Sequence, residues 1–390
     1  MNIDSKLSDI VKTIPPSAIR KFFDLANEMK GEVISLSIGE PDFVTPWAIC
    51  EAGIYSLEQG KTHYSPNAGY IELREEIARY MKRKFHLSYA PKDEILVTVG
   101  GSEAIDDVVR SLVNPGEEVI IPEPCFVAYK SCVLLAGGIP IVIPCAPESG
   151  FKLKAEDLKK AISPRTKLLI MGYPNNPTGA IMSKEELSPV VDVIKKTEIL
   201  VVSDELYAEL TYPPARHCSI AQFDGMKERT IIINGLSKAF AMTGWRIGFT
   251  LGPSNVIAAM NRIHQYVIMS SPTTAQYAAI EALKNGDESV VEMRNEYNQR
   301  RRVVLNALRK CGLECFEPLG AFYAFPSIRS TGMTSAEFCE QLLMEEKVAI
   351  VPGSAFGASG EGFVRISYAA SIENITKAME RLIAFVSRRK

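Results

Sequence analysis

The 390-residue sequence has little that would mark it as extracellular, metal-held or nucleic-acid-bound. Eight cysteines are too few for a disulfide scaffold in a chain this long. None form a C-x-x-C pair, and no histidine lies near the closest two, Cys311 and Cys315, which speaks against a structural zinc site. Lys and Arg number 44 against 46 Asp and Glu, so no basic domain stands ready for nucleic acid or an anionic membrane surface. No apolar run is long enough to span a bilayer. The stretch from Met1 to Phe23 carries charges throughout and no apolar core of a signal peptide. Low-complexity tracts, internal repeats and long linkers are also missing. A soluble, cytoplasmic protein that binds neither nucleic acid nor membrane is expected, with two domains or one large domain and an extension.

What is present is a series of short apolar runs: Ile95–Val99, Val119–Ile121, Ile139–Ile143, Leu168–Met171, Ile199–Ser203, Ile231–Ile233 and Ile247–Leu251. They show little polar alternation, which predicts strands buried on both faces. Helical patterns over Glu103–Leu112, Phe126–Leu135 and Lys184–Lys196 lie between them. Such alternation predicts an α/β domain with a mostly parallel sheet flanked by helices. The last two runs have no helix between them, so one strand there is a candidate for antiparallel pairing. Past Gly252 longer helices follow, one over about Val290 to Lys310, then short runs Ala321–Phe325, Ala349–Val351 and Val364–Tyr368. This predicts a smaller α+β domain.

Four segments follow strands and carry chemistry. Leu236-Ser237-Lys238 begins the string L-S-K-A-F-A-M-T-G-W-R-I-G, which ends with Arg246 between glycines 244 and 248. A lysine at the end of a buried strand can hold a carbonyl compound as a Schiff base. Read singly, such a lysine is far more often an exposed charge, and so is the arginine. Ser203-Asp204-Glu205-Leu206-Tyr207 places a carboxylate where open α/β sheets bind ligands, or where it merely caps a helix. Tyr173-Pro174-Asn175-Asn176-Pro177-Thr178-Gly179 is a stiff loop that can fix one amide, or an ordinary turn. The Asn176–Pro177 bond is a candidate for cis. Val99-Gly100-Gly101-Ser102-Glu103 offers backbone N–H groups at a helix start, suited to a phosphate. It is not G-x-G-x-x-G, so a dinucleotide fold is not supported.

Together, and in this order, the four segments resemble those of fold-type-I, pyridoxal-phosphate-dependent class I/II aminotransferases. The resemblance runs from Ser37-Ile38-Gly39-Glu40-Pro41-Asp42-Phe43 to Val364-Arg365-Ile366-Ser367-Tyr368, and is strongest to the bacterial and archaeal aspartate and aromatic branch. It implies a large cofactor-binding domain over 46–285, a small domain over 286–390, and an arm over 1–45, with Ile14 to Ile38 forming part of a lid.

The resemblance also implies roles. Lys238 would carry pyridoxal 5'-phosphate and then act as general base. Asp204 would keep the ring nitrogen protonated, and Asn176 and Tyr207 would bond the ring oxygen. Phe126, where relatives often carry Tyr or Trp, would stack on the ring. Gly101, Ser102, Glu103, Ser237 and Arg246 would hold the phosphate. Tyr64 would reach it from the neighbouring subunit of a homodimer. Arg365 would grip the substrate carboxylate as a planar fork, beside Gly39. The implied activity is ping-pong transfer of an amino group from an L-amino acid to a 2-oxo acid, 2-oxoglutarate being the expected acceptor. Aromatic, aspartate or broad donor specificity stays open; Ser102, standing where some relatives have a lysine, weighs against aspartate and leaves an alanine-like preference open as well. A carbon–sulfur β-lyase, a regulator with a DNA-binding extension and a non-catalytic relative are weaker alternatives. The first departs from P-N-N-P-T-G and T-G-W-R-I-G, the second lacks room before about Ser17, and the third conflicts with Lys238, Asp204 and Arg365. Arg262 and the Ile268–Ser271 region are candidate pocket residues, His63 a candidate neighbour of the site, and Cys125 a buried thiol.

Overall fold

The computed structural model describes residues 3–14, 29 and 33–389. Most of the expected lid segment, 15–28 and 30–32, lies outside the described residues.

After a two-residue strand β1 (Ile34–Ser35), helices α1 (Trp47–Glu58) and α2 (Ile71–Phe85) lead into the main sheet. Its strands are β2 (Ile95–Thr98), β3 (Glu118–Glu123), β4 (Ile139–Pro144), β5 (Thr166–Gly172), β6 (Leu200–Asp204), β7 (Thr230–Gly235) and β8 (Gly248–Leu251), in the order β2-β8-β7-β6-β5-β3-β4. Pairing is parallel from β7 through β4, and β8 runs antiparallel between β2 and β7. The chain cannot cross over between β7 and β8 without an intervening helix, so the two form a wide hairpin.

The apolar runs are uninterrupted because both sheet faces are covered. On β5, Leu168 and Ile170 point to one side, and Leu169 and Met171 to the other. The first side packs on Val108 and Val109 of α3 (Gly101–Leu112), which lies before α4 (Ala128–Leu135); the second packs on Val190 and Val191 of α5 (Lys184–Ile194). Full burial of each such side chain contributes about 1.5–3 kcal/mol. A capping box between Ser183 and Glu186 starts α5.

Helices α6 (Ser254–Val267) and α7 (Thr273–Asn285) follow the sheet, then the 25-residue α8 (Asp287–Cys311). Asp287 and Glu288 in its first turn and Arg309 and Lys310 in its last complement the helix dipole. Strands β9 (Tyr323–Ala324), β10 (Val348–Ala349), β11 (Val351–Pro352) and β12 (Val364–Ser367) are accompanied by α9 (Ser335–Glu346) and α10 (Ile372–Ser387). The order β11-β12-β9 is antiparallel, while β10 pairs in parallel with β1. The run expected over Ala349–Val351 is thus two strands, changing partner at Ile350. The run from Ala321 shortens because Ala321 is left-handed, with φ 55°.

Candidate active site

The carboxyl ends of five parallel strands converge on one cavity of about 310 Å³. β2 delivers Gly101 and Ser102, β3 Phe126, β5 Asn176, β6 Asp204 and Tyr207, and β7 Ser237 and Lys238. The hairpin before β8 returns Arg246, and β12 and the segment after β1 add Arg365 and Gly39. Eleven of the residues singled out in the sequence therefore share one wall-to-wall space. Two glycines make this possible. Gly100, at φ 80°, lets Arg246 lie against it: a Cβ there would come within 2.8 Å of Arg246 Nη2. A Cβ on Gly248 would come within 2.8 Å of the Gly100 carbonyl carbon, so β8 can support the loop only without a side chain.

Lys238 lies at the bottom and donates from Nζ to the Gly39 carbonyl. Burial lowers its pKa from 10.5 to about 8; Glu40 opposes the drop, and Arg365 and Arg246 add to it. Asp204 receives Tyr129 Oη at 2.6 Å and the Leu206 N–H at 3.2 Å. Burial raises its pKa, and these two hydrogen bonds hold it down. It caps no helix, because a turn rather than a helix follows β6. Tyr207 Oη lies 2.7 Å from Tyr323 Oη, and burial, then Tyr323, push the Tyr207 phenol well above its usual range.

Arg365 is 2% exposed. Its Nη1 donates to Asn176 Oδ1 at 3.0 Å and its Nη2 to the Ser37 carbonyl at 2.6 Å. The guanidinium carbon lies 4.5 Å from the Tyr323 ring centre and 4.8 Å from that of Phe356. Its Nε has no hydrogen-bond partner among the described residues. A buried cation with, among the described residues, neither a carboxylate partner nor a satisfied Nε is prepared for an anionic ligand. The Asn176–Pro177 bond is cis, as are Tyr173–Pro174 and Glu123–Pro124.

Two expected site residues do not put their side chains into the cavity of their own chain. The Glu103 side chain turns away from the cavity and accepts the Val99 N–H. Tyr64 is 83% exposed and does not line the cavity of its own chain. Sequence reasoning missed Tyr129, Tyr323, Glu40 and Thr243, which line the cavity. Tyr129 follows Phe126 by three positions, and its N–H closes a turn onto the Phe126 carbonyl at 3.3 Å just before α4, a spacing that could have revealed it. Tyr323, 116 positions beyond Tyr207, gave no local signal. Arg262 and His63 are exposed and outside the cavity, and Cys125 is a buried thiol with its pKa pushed up by burial.

Residues 31–382 match the family described as aminotransferase class I and II. The chain belongs to this family. It is an amino-acid aminotransferase. It is 55% identical over 384 residues to the Bacillus subtilis protein YugH, named as an aminotransferase, with 98% of this chain and 99% of the relative covered. Identity to an aspartate aminotransferase of Pyrococcus abyssi is 46% over 386 residues, covering 98% and 99%. Among solved structures, the aromatic aminotransferase of Pyrococcus horikoshii superposes with a TM-score of 0.90 at 46% identity, covering 94% of this chain and 99% of that one. The aspartate aminotransferase of Thermus thermophilus gives 0.93 at 40%, covering 97% and 99%. The aminotransferase fold thus extends over nearly the whole chain. No described helix is long and apolar enough to cross a membrane.

Proposed function

We propose that this aminotransferase uses pyridoxal 5'-phosphate bound to Lys238 and passes the amino group of an L-amino acid to a 2-oxo acid, with 2-oxoglutarate as acceptor. The observation that carries the reading is the buried Lys238 amine, with a pKa near 8, in a cavity that also holds the Asp204 carboxylate and the Arg365 guanidinium. The donor set fits the cofactor. It offers one amine for an aldehyde, one buried carboxylate for a ring nitrogen, and Arg246 beside a helix start for a phosphate.

When bound, pyridoxal phosphate supplies the aldehyde for attachment and a ring that accepts electron density from the substrate Cα. Arg246, the Ser102 and Ser237 hydroxyls, and the backbone N–H groups of Gly101 to Glu103 bind the phosphate; the first N–H groups of a helix lack internal acceptors. Asp204 holds the proton at the ring nitrogen, and the Tyr129 hydrogen bond opposes the rise that burial causes in that carboxylate's pKa. Phe126 lies against the ring face, and Asn176 and Tyr207 bond the ring oxygen. Arg365 clamps the substrate carboxylate beside Gly39. Lys238 Nζ, poised near neutrality, moves the proton at the substrate Cα.

The proposal includes a homodimer in which Tyr64 of the partner subunit completes the phosphate site. Tyr64 stands on an exposed surface near Tyr266, Val267 and Met269, and Asn67 Nδ2 joins the two segments through the Met269 carbonyl at 2.7 Å. The reading also divides the chain into an arm over 1–45, a large domain over 46–285 and a small domain over 286–390. The main sheet ends at Leu251 and α8 begins at Asp287, which agrees with that division. The thiols of Cys50, Cys125, Cys132, Cys145, Cys218, Cys315 and Cys339 agree with a cytoplasmic setting. Aromatic, aspartate and broad donor preferences all remain within the proposal.

The test is a single turnover without acceptor. Cofactor-loaded protein is mixed in turn with aspartate, glutamate, alanine, tyrosine, phenylalanine and cysteine. Release of one equivalent of 2-oxo acid per subunit, becoming catalytic when 2-oxoglutarate is added, is the expected result. Continuous pyruvate release from cysteine without acceptor would replace the reading with β-elimination.

A further inference from the structure

A buried polar cluster lies under the loop proposed for the phosphate, and none of the roles above uses it. Glu103 and Asp107 stand one turn apart on α3, which packs against α6. His264, fully buried on α6, meets them, and one polar atom from each of the three residues falls within 4.8 Å of the others. His264 Nδ1 donates to Glu103 Oε1 at 2.5 Å. Glu103 Oε2 accepts the N–H of Val99, the residue just before Gly100 and Gly101. One carboxylate thus ties the start of the glycine loop to the first turn of its helix.

That carboxylate raises a question of charge. It lies in the first turn of α3, the turn whose N–H groups face the proposed phosphate. A negative charge there repels a dianion unless it is compensated. The cluster supplies the compensation. Burial lowers the His264 pKa, but the hydrogen bond and charge of Glu103 and the Asn67 backbone raise it above the ordinary histidine value. Burial pushes the Asp107 carboxyl up to about 8, so near neutral pH it is mostly protonated. A proton held between the His264 imidazole and the Glu103 carboxylate offsets the negative charge at this helix start. His264 also anchors the neighbouring surface, since its carbonyl accepts the N–H groups of Ile268 at 2.9 Å and Met269 at 3.0 Å.

We propose that His264 is a positioning residue for phosphate binding: it neutralises Glu103, so that this side chain can hold the Val99 N–H without repelling the phosphate above it. The inference rests on Gly101 to Glu103 being the phosphate cradle. It gives a buried residue outside the cavity an effect on one chemical group of the cofactor, and on no other.

The experiment compares dissociation constants for pyridoxal 5'-phosphate and for pyridoxal, which lacks the phosphate, on protein freed of cofactor. The wild type prefers the phosphorylated form. In His264→Leu that preference falls about tenfold or more, while the constant for pyridoxal stays within about threefold. In a Glu103→Gln background, removing the imidazole changes the preference by less than about threefold, because no charge is left to neutralise. This second comparison decides the matter if the single His264 variant does not fold. Equal weakening of both ligands would mean general loosening and would overturn the proposal. An equal loss of preference in the Glu103→Gln background would overturn it too. A wild type with no preference for the phosphorylated form would remove the cradle, and the inference with it.

Discussion

Replacing Lys238 by methionine should end catalysis and at the same time stabilise the cofactor-free protein at neutral pH. Methionine has a similar length and carries no charge, so it can occupy the same apolar walls. The folded protein lowers the lysine pKa from 10.5 to about 8, chiefly by burial. At 1.36 kcal/mol per pH unit, keeping this amine in the fold costs about 3 kcal/mol below pH 8, where folded and unfolded chains both hold the proton. Between pH 8 and 10.5 the unfolded chain still binds the proton and the folded one does not, so stability rises with pH. Above 10.5 both forms are neutral and the cost is gone. The variant gives up the Nζ donation to the Gly39 carbonyl, worth about 1 kcal/mol, which leaves a net gain of about 2 kcal/mol at pH 7. Urea unfolding of both cofactor-free proteins at pH 7 and at pH 10.5 measures it. All other titrating groups are common to the two proteins and cancel in the difference. A variant less stable than wild type at pH 7, or an advantage equal at both pH values, would refute the reasoning.

Three other substitutions probe the remaining walls. Arg365→Lys removes the planar fork and its unpartnered Nε, so KM for the amino donor should rise about tenfold to a hundredfold in steady-state assays, with cofactor affinity unchanged. Gly100→Ala puts a Cβ at φ 80° and 2.8 Å from Arg246 Nη2. Equilibrium dialysis should show pyridoxal phosphate bound about tenfold more weakly, and unchanged binding would show that Arg246 moves without cost. Tyr129→Phe takes a 2.6 Å hydrogen bond from Asp204, raises that carboxyl's pKa further, and should shift the acid limb of kcat/KM to higher pH while kcat falls about tenfold.

The main sheet was legible in the sequence because its inner strands are covered on both faces, while the edge strand β4 is only partly covered. Leu168, Leu169, Ile170 and Met171 all had to be apolar, and the run announced itself. The short strands of the second sheet were harder. Ala349 and Val351 belong to different sheets, a change of partner that no periodicity records. The strand ends carried the site, since turn-rich segments after buried strands mark where a ligand can enter. Contacts between distant segments were not legible. Tyr323 meets Tyr207 through folding alone, and the Glu103 side chain serves Val99 and His264 rather than the cavity, a choice its position in the sequence does not reveal.

The hairpin between β7 and β8 carries Lys238 near one end and Arg246 near the other. Gly235 pairs with Gly248, so the sheet fixes both roots of this segment. The spacing between the cavity's amine and its guanidinium is therefore a property of the sheet, independent of any motion of β12 and Arg365. Evolution can lengthen loops elsewhere at little cost. An added or deleted residue between Phe240 and Trp245 would instead change the working gauge of the site, so length variation should be least tolerated there.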